Sequence, residues 1–182
     1  TTLFRSASNL FSVQHIVNFF KSKNRKVSYD TLSNYLGYIE EAFLAYKTER
    51  YNIKGKDVVA GNCKYYLNDL SFKNFLYPGF AYGVGYLLEN AVYLELRRLG
   101  YIVYTGSFRD KEVDFVAMKD DRVIYLQATY MLETAQTMER EYAPLLTIGD
   151  NYEKYVVSMD EVQFPSNEGV RHIQAWNLKE IL

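Results

Sequence analysis

Apolar residues recur at helical spacing over the first forty residues of the chain. Ser12 and Ser28 each precede such a series, Val13, Ile16, Val17 and Phe20 after the first and Leu32, Tyr35, Leu36, Ile39 and Phe43 after the second. Serine is a favoured N-cap, so the pattern predicts two helices. Residues 44–53, a turn at Lys54-Gly55-Lys56 and an apolar run at residues 63–67 then predict two strands. Helix, turn, helix and β-ribbon is the order of a winged helix-turn-helix.

A segment rich in glycine and proline follows the predicted ribbon. It carries Pro78, Gly79, Gly83 and Gly85, which are typical of a linker. We therefore expect a winged helix over residues 1–70 and a second domain over residues 71–182. That domain opens with a helix over residues 86–99, which is apolar on nearly all sides and stops at Gly100.

The rest of the second domain alternates strand-like and helix-like patterns. Strands are predicted at residues 101–105, 112–118, 122–130, 155–158 and 172–175, with a helix over residues 134–146 and a short one from Asn177. The order α-β-β-β-α-β predicts a mixed sheet flanked by helices. The fold class expected for the whole chain is therefore mixed α and β.

A predicted hairpin brings two polar residues together. If Asp120-Asp121 is a two-residue turn, Asp114 lies directly opposite Gln127, with Cβ atoms about 5 Å apart. Thr129 then follows on the face of Gln127. A three-residue turn would shift the register and send Asp114 and Gln127 to opposite faces.

One carboxylate falls on an apolar helix face. Glu89 has Val92, Tyr93 and Leu96 as its nearest neighbours by helical angle. A carboxylate there requires a partner, an ion or a raised pKa. For Asp114, Gln127 and Glu89 the alternative is ordinary hydrogen bonding without any catalytic role.

These motifs resemble the PD-(D/E)XK nuclease superfamily. The matching segments, in order, are Leu88-Glu89-Asn90-Ala91-Val92-Tyr93, Glu112-Val113-Asp114-Phe115 and Tyr125-Leu126-Gln127-Ala128. More closely, the chain is similar to the region C-terminal to the AAA+ module in a group of prokaryotic ATPases, where a winged helix precedes a nuclease-like core. Lys64-Tyr65-Tyr66-Leu67-Asn68-Asp69 resembles the junction between the two, and the stretches around Arg140-Glu141 and Asp150-Asn151-Tyr152 also match.

The resemblance implies a catalytic site that this chain fills incompletely. In active members an Asp and a Glu, sometimes a Gln, ligate Mg²⁺, a Lys two residues later helps to activate water, and a helix Glu assists. Glu89, Asp114 and Gln127 occupy the first three places, with Asp114 and Gln127 as the metal ligands. Thr129 occupies the place of the Lys and supplies no cation, so we expect a vestigial site. Arg109 or Lys111 is the alternative source of the missing charge.

The winged helix predicts contacts to DNA. The helix after Ser28 would be the recognition helix, with Thr31 and Asn34, beside Asp30 and Ser33, facing the groove. Arg25 and Lys26 would contact phosphates, and Lys54 and Lys56 would lie on the wing. Winged helices also bind proteins, and Asp30, Glu40 and Glu41 repel phosphate, so a protein partner is the alternative.

Composition sets limits on these readings. Hydrophobic residues make up 48% of the 182, no apolar run reaches the length of a membrane span, and no secretory signal is present. Cys63 is the single cysteine and is expected to be a buried thiol. Together with the preceding observations, this favours a cytoplasmic protein. Residues 1–70 carry 10 Lys and Arg against 6 Asp and Glu, and residues 71–182 carry 11 against 16, which suggests two different surfaces.

Nucleotide and metal motifs are missing from the sequence. There is no G-x-x-x-x-G-K-[ST], and His15 and His172 lack ligand spacing around them. The chain begins without Met, and we interpret it as a fragment whose ATP and Mg²⁺ site belongs to an upstream AAA+ module. Its expected partners are DNA, another protein or that module, and no membrane.

Three functions compete at this point. The first is a C-terminal region that engages nucleic acid or a partner while its nuclease-like core is inactive. The second is a Mg²⁺-dependent DNA nuclease that uses Glu89, Asp114 and Gln127. The third is a protein–protein scaffold.

Overall fold

The computed structural model describes residues 9–10, 12–76 and 83–182. The helices of this part of the chain are α1 (Val13–Ser22), α2 (Tyr29–Glu41), α3 (Ser71–Leu76), α4 (Val84–Arg98) and α5 (Ala135–Leu146). The strands are β1 (Ala45–Asn52), β2 (Asp57–Leu67), β3 (Ile102–Phe108), β4 (Lys111–Lys119), β5 (Arg122–Ala128), β6 (Glu153–Ser158) and β7 (Val170–Gln174). A 3₁₀ helix, Ala175–Glu180, stands where the sequence predicted a helix from Asn177.

The strands form one mixed sheet of seven in the order β2-β1-β3-β4-β5-β6-β7. Strand β3 runs parallel to β1, the hairpins β3–β4 and β4–β5 are antiparallel, and β6 and β7 continue parallel to β5. Helices α4 and α5 both pack on the central strands. The expected mixed α/β fold class and the order α-β-β-β-α-β are therefore confirmed.

The chain divides into two compact units. The first draws on Thr1–Glu49 and Ala60–Ala81, and the second on Arg50–Val59 and Tyr82–Leu182. Strands β1 and β2 therefore contribute to both units. The domain boundary predicted near residue 70 stays a prediction.

Serine caps begin both helices of the first unit. The Ser12 hydroxyl accepts the His15 N–H at 3.3 Å, and the Ser28 hydroxyl accepts the Thr31 N–H at 3.1 Å. Both predicted helix starts are thereby confirmed. The core of this unit consists of Leu36, Ala45, Cys63, Tyr65 and Leu67, with Val13, Ile16 and Ile39 packed against it.

Two members of the predicted apolar stripe of α2 lie outside that core. Tyr35 and Phe43 are exposed. Tyr35 precedes the buried Leu36 by one residue and so points about 100° away from it around the helix. Helix α2 ends at Glu41, and Phe43 follows with a φ of 53°, so it no longer keeps the helical spacing.

The predicted linker is partly helical. Helix α3 falls within it, Gly83 is the N-cap of α4, and Gly85 lies inside α4, while Pro78 and Gly79 lie outside the described residues. Helix α4 thus begins two residues earlier than expected. None of the helices in the described ranges has the length and apolar character needed to cross a membrane.

A β-bulge interrupts the pairing of β3 with β4. Tyr104 faces Val116 and Gly106 faces Val113, so Asp114 and Phe115 share the space opposite Thr105. Val113 and Val116 both join the core cluster of α5, which strict alternation would forbid. Phe115, between them, instead packs on Tyr93 of α4, with ring centroids 6.4 Å apart. The two helices therefore cover opposite faces of the sheet.

Glycine is required opposite this bulge. A Cβ on Gly106 would lie 2.8 Å from a methyl group of Val116 and 2.9 Å from the Cβ of Val113. It would also meet Ile53 at 3.0 Å. Any side chain here would push the two valines apart.

Candidate functional site

The hairpin between β4 and β5 brings Asp114 to Gln127. The register pairs Lys119 with Arg122 and Phe115 with Leu126, so the turn has two residues, and Asp114 and Gln127 follow directly beyond the last registered pair. The Asp114 N–H donates to Gln127 Oε1 at 3.2 Å, and the Ala128 N–H donates to Asp114 Oδ2 at 2.9 Å. The predicted juxtaposition of these two residues is confirmed.

The bulge turns part of this site toward helix α4. Because Val113 and Val116 face α5, the intervening Asp114 lies off that face. Thr105 alternates with Tyr104 and Gly106 and is fully buried, and its hydroxyl has no hydrogen-bond partner among the residues that the structure describes. Such an unpaired buried hydroxyl is uncommon in native proteins. Nothing in the residue pattern singled out Thr105, because the bulge that positions it leaves no mark there.

Glu89 is buried on α4, as its position on an apolar helix face predicted. Its residue exposure is 7%, and the helix that carries it packs on β3, β4 and β5. Thr129 directly follows β5, is equally buried, and donates its N–H to the Val157 carbonyl at 3.0 Å. The place that holds a Lys in the resemblance is thus a neutral, buried hydroxyl.

Lys111 and Arg109 have surroundings of their own. Lys111 lines a cavity of about 560 Å³, together with Met138, Tyr142, Leu146 and Phe164 among others. The Arg109 guanidinium lies 5.4 Å from the ring centre of Phe108. The alternative that Arg109 or Lys111 supplies the charge of the missing Lys stays a prediction.

The donors at this site fit a Mg²⁺ ion poorly. Mg²⁺ favours carboxylate oxygens in octahedral geometry, whereas Gln127 offers a neutral carbonyl that already accepts an N–H. Among the residues that the structure describes, no group of three or more His, Cys, Asp or Glu side chains is arranged to hold a metal. We therefore derive no chemical step through a metal here.

A second candidate surface lies in the first unit. We call residues 21–26 the basic segment, and its cations are Lys21, Lys23, Arg25 and Lys26. All four are exposed, and none forms an ion pair with a carboxylate in the described ranges. Lys21, Arg25 and Lys26 line a recess of about 660 Å³ that reaches Ser28, the N-cap of α2.

The residues predicted to contact DNA are all exposed. They are Arg25, Lys26, Thr31, Asn34, Lys54 and Lys56. The Thr31 hydroxyl is within 2.8 Å of the Ser28 hydroxyl, so it already has a partner. Lys54 and Lys56 belong to the second unit, and Lys56 lies 6.0 Å from the ring centre of Tyr152.

Helix α2 also exposes an aromatic stripe. Thr31, Tyr35 and Tyr38 follow one another at i, i+4 and i+7, and the two tyrosines are 57% and 60% exposed. Their ring centroids are 6.5 Å apart with an interplanar angle of 47°. The sequence placed Tyr35 in the core and left Tyr38 unassigned, although their spacing from Thr31 was available as a signal.

A buried polar network in the second unit was also missed. The Phe164 N–H donates to His172 Nδ1 at 3.1 Å, so the neutral ring carries its proton on Nε2 and donates it to Ser158 Oγ at 2.8 Å. The Ser158 hydroxyl in turn donates to Asp160 Oδ2 at 2.6 Å, which also accepts the Leu132 N–H at 2.9 Å. Burial holds the pKa of His172 below its usual value, and the Asp160 carboxylate opposes that shift.

This network has the residue types of a hydrolase triad without its direction of proton transfer. In such a triad the His accepts the serine proton. Here the His donates to Ser158, and Ser158 donates to the carboxylate. With His172 only 2% exposed, the arrangement stabilises the fold and does not prepare a nucleophile.

Comparisons with known proteins place the chain beside longer relatives. No family model and no solved structure matches it. An uncharacterised protein of Haemophilus influenzae is 34% identical over 153 residues, which cover 84% of this chain and 38% of that protein. An uncharacterised protein of Methanocaldococcus jannaschii is 32% identical over 138 residues, which cover 74% of this chain and 30% of that protein. The chain thus spans about a third of the length of these relatives.

Proposed function

We propose that this chain is the nucleic-acid-engaging C-terminal region of a prokaryotic AAA+ ATPase, with a winged helix and a nuclease-like core that no longer cleaves. One observation carries the proposal: Gln127 Oε1 and Asp114 Oδ2 each accept a backbone N–H, which gives both side chains a structural role. ATP hydrolysis, with its own Mg²⁺, would occur in an upstream module. The relatives support this reading because about two thirds of their length lies outside the matched region.

The first element of the proposal is a core without nuclease activity. Phosphodiester cleavage requires stabilisation of the developing charge. Active members of the PD-(D/E)XK superfamily obtain it from a metal and a Lys. In this chain the Lys place holds Thr129, and a neutral amide replaces one carboxylate. Asp114 would then hold β4 to β5 through its hydrogen bonds, and Glu89 would take part in the packing of α4.

The second element is a role in binding. The four cations of the basic segment have no carboxylate partners in the described ranges, so their charge is available to phosphates. The surplus of cations over residues 1–70 agrees with this. Of the three functions, a binding region without cleavage agrees best with both features.

The proposal is tested by incubating the chain with linear, nicked and branched DNA in the presence of Mg²⁺ or Mn²⁺. We expect binding that weakens with salt, and no cleavage. Cleavage that disappears in Asp114→Ala and persists in Asp121→Ala, a matched change at the exposed hairpin turn, would establish the nuclease function instead. Absence of any binding at low salt would favour the protein scaffold.

A further inference from the structure

The first unit combines exposed aromatic rings with cations that have no carboxylate partner among the residues the structure describes. From this combination we infer that it binds single-stranded nucleic acid, with phosphates along the basic segment and bases stacked on Tyr35 and Tyr38. The inference rests on the proposed engagement of nucleic acid and specifies its form. A duplex and an acidic protein surface are the competing ligands.

The charge of the basic segment suits a phosphate chain. Lys21, Arg25 and Lys26 converge on one recess of about 660 Å³, and Lys23 lies between them in sequence. Cations that contact phosphates release the counterions condensed on the nucleic acid, which drives binding at low salt. Since these cations have no internal carboxylate partner in the described ranges, no ion pair must break first.

The rings of Tyr35 and Tyr38 suit bases. Both are more than half exposed, and they stand side by side on α2 with centroids 6.5 Å apart. Every base has a π-face, so adjacent exposed aromatic rings bind single strands with little sequence preference. A tyrosine also loses little conformational freedom when its ring is covered.

The distances along α2 allow one strand to reach both features. Tyr35 lies seven residues beyond Ser28 at the recess, a rise of about 10 Å, and Tyr38 lies about 15 Å beyond it. A strand of a few nucleotides spans such a distance. The recess and the rings can therefore be engaged by the same short segment.

A duplex suits this surface less well. A recognition helix reads base edges with the residues of its first turns. In α2 the Thr31 hydroxyl of the first turn is occupied by Ser28. In a duplex the bases are stacked on one another, so the tyrosine rings would meet only sugar and phosphate. In a single strand the base faces are open.

The test measures binding of the full chain to a fluorescently labelled oligothymidylate and to a duplex of the same length by anisotropy. Tyr35→Ala and Tyr38→Ala should each weaken single-strand binding roughly five- to 100-fold, since each stacked base contributes on that scale. Tyr35→Phe should retain most of the affinity, because stacking needs the ring and not the hydroxyl. Phe75→Ala, an exposed aromatic residue of α3 in the same unit, is the matched control and should change nothing.

The salt dependence tests the cations separately. The triple variant Lys21→Gln, Arg25→Gln, Lys26→Gln should reduce the slope of log affinity against log salt by about 2, at about 0.7 per phosphate contact. Lys47→Gln is its control, because Lys47 already pairs with Glu49 at 3.7 Å. A slope unchanged by the triple variant would overturn the inference.

The outcomes separate this inference from the proposed function. Duplex binding that equals or exceeds single-strand binding, and that is unaffected by both tyrosine changes, would refute the single-strand mode and leave nucleic-acid engagement intact. Failure to bind either DNA at low salt would refute both, and binding of an acidic protein in its place would identify the scaffold function. Thermal unfolding of each variant is measured to check that its fold is retained.

Discussion

Restoring a carboxylate at position 127 gives the sharpest test of a vestigial metal site. In Gln127→Glu, a second negative charge would stand opposite Asp114, whose N–H and carboxylate already bond across this strand pair. If the charged groups are as far apart as opposed Cβ atoms, about 5 Å, Coulomb repulsion at effective dielectric constants between 80 and 20 amounts to about 1–3 kcal/mol. We expect the free energy of unfolding at neutral pH to fall by that amount.

Two further measurements identify the source of the loss. In an Asp114→Asn background the same Gln127→Glu change should cost almost nothing, because the repulsion has no second charge. Addition of Mn²⁺ should restore the stability of the Gln127→Glu variant alone, by about 2.7 kcal/mol when the ion is at 100 times its dissociation constant. The wild-type chain should not respond to the ion.

The assay is urea denaturation followed by circular dichroism, with and without the divalent ion. If Gln127→Glu has wild-type stability without metal, or if Mn²⁺ stabilises the double variant equally, the two residues do not form the remnant of a metal site. The proposed relation to a nuclease core would then lose its physical support. The winged-helix proposal for the first unit would be unaffected.

Three other predictions concern the stability of the second unit. Asp160→Ala should lower the free energy of urea unfolding by about 2–6 kcal/mol, because the Leu132 N–H and the Ser158 hydroxyl each lose a buried acceptor at about 1–3 kcal/mol. A loss under about 1 kcal/mol would contradict the role of Asp160 as their acceptor. Burial lowers the pKa of His172 in the folded chain. The stabilisation from its neutral ring is therefore complete above about pH 6.5 and is lost as pH falls toward the lower folded pKa. The variant His172→Gln should remove this step from the profile of unfolding free energy against pH. Gly106→Ala should cost about 1–3 kcal/mol by overpacking against Val116, and a neutral result in thermal unfolding would show that the bulge yields.

Much of the fold followed from local patterns because local chemistry decides it. The caps at Ser12 and Ser28 and the turn at Asp120-Asp121 are each set by a few neighbouring residues. The same applies to the burial of Glu89, which follows from its position on an apolar helix face. Patterns of this kind also predicted the register that joins Asp114 to Gln127.

The features that the sequence did not predict depend on contacts between distant segments. The bulge at Asp114 places Val113 and Val116 in one core cluster, and nothing in the alternation of β4 reveals it. The network of Ser158 and His172 joins two strands across an intervening loop. Such arrangements require the assembled sheet, and helical spacing or strand alternation carries no information about them.

The hydrogen bonds of Asp114 and Gln127 give both residues a structural role that requires no catalysis. The last registered pair of β4 and β5 on this side is Phe115 with Leu126, so the N–H groups of Asp114 and Ala128 need acceptors beyond it. The side chains of Gln127 and Asp114 supply them. An acid and an amide at these positions are therefore accounted for by the folding requirement alone. Binding must be argued from the surface, where the cations of the basic segment have no carboxylate partner in the described ranges.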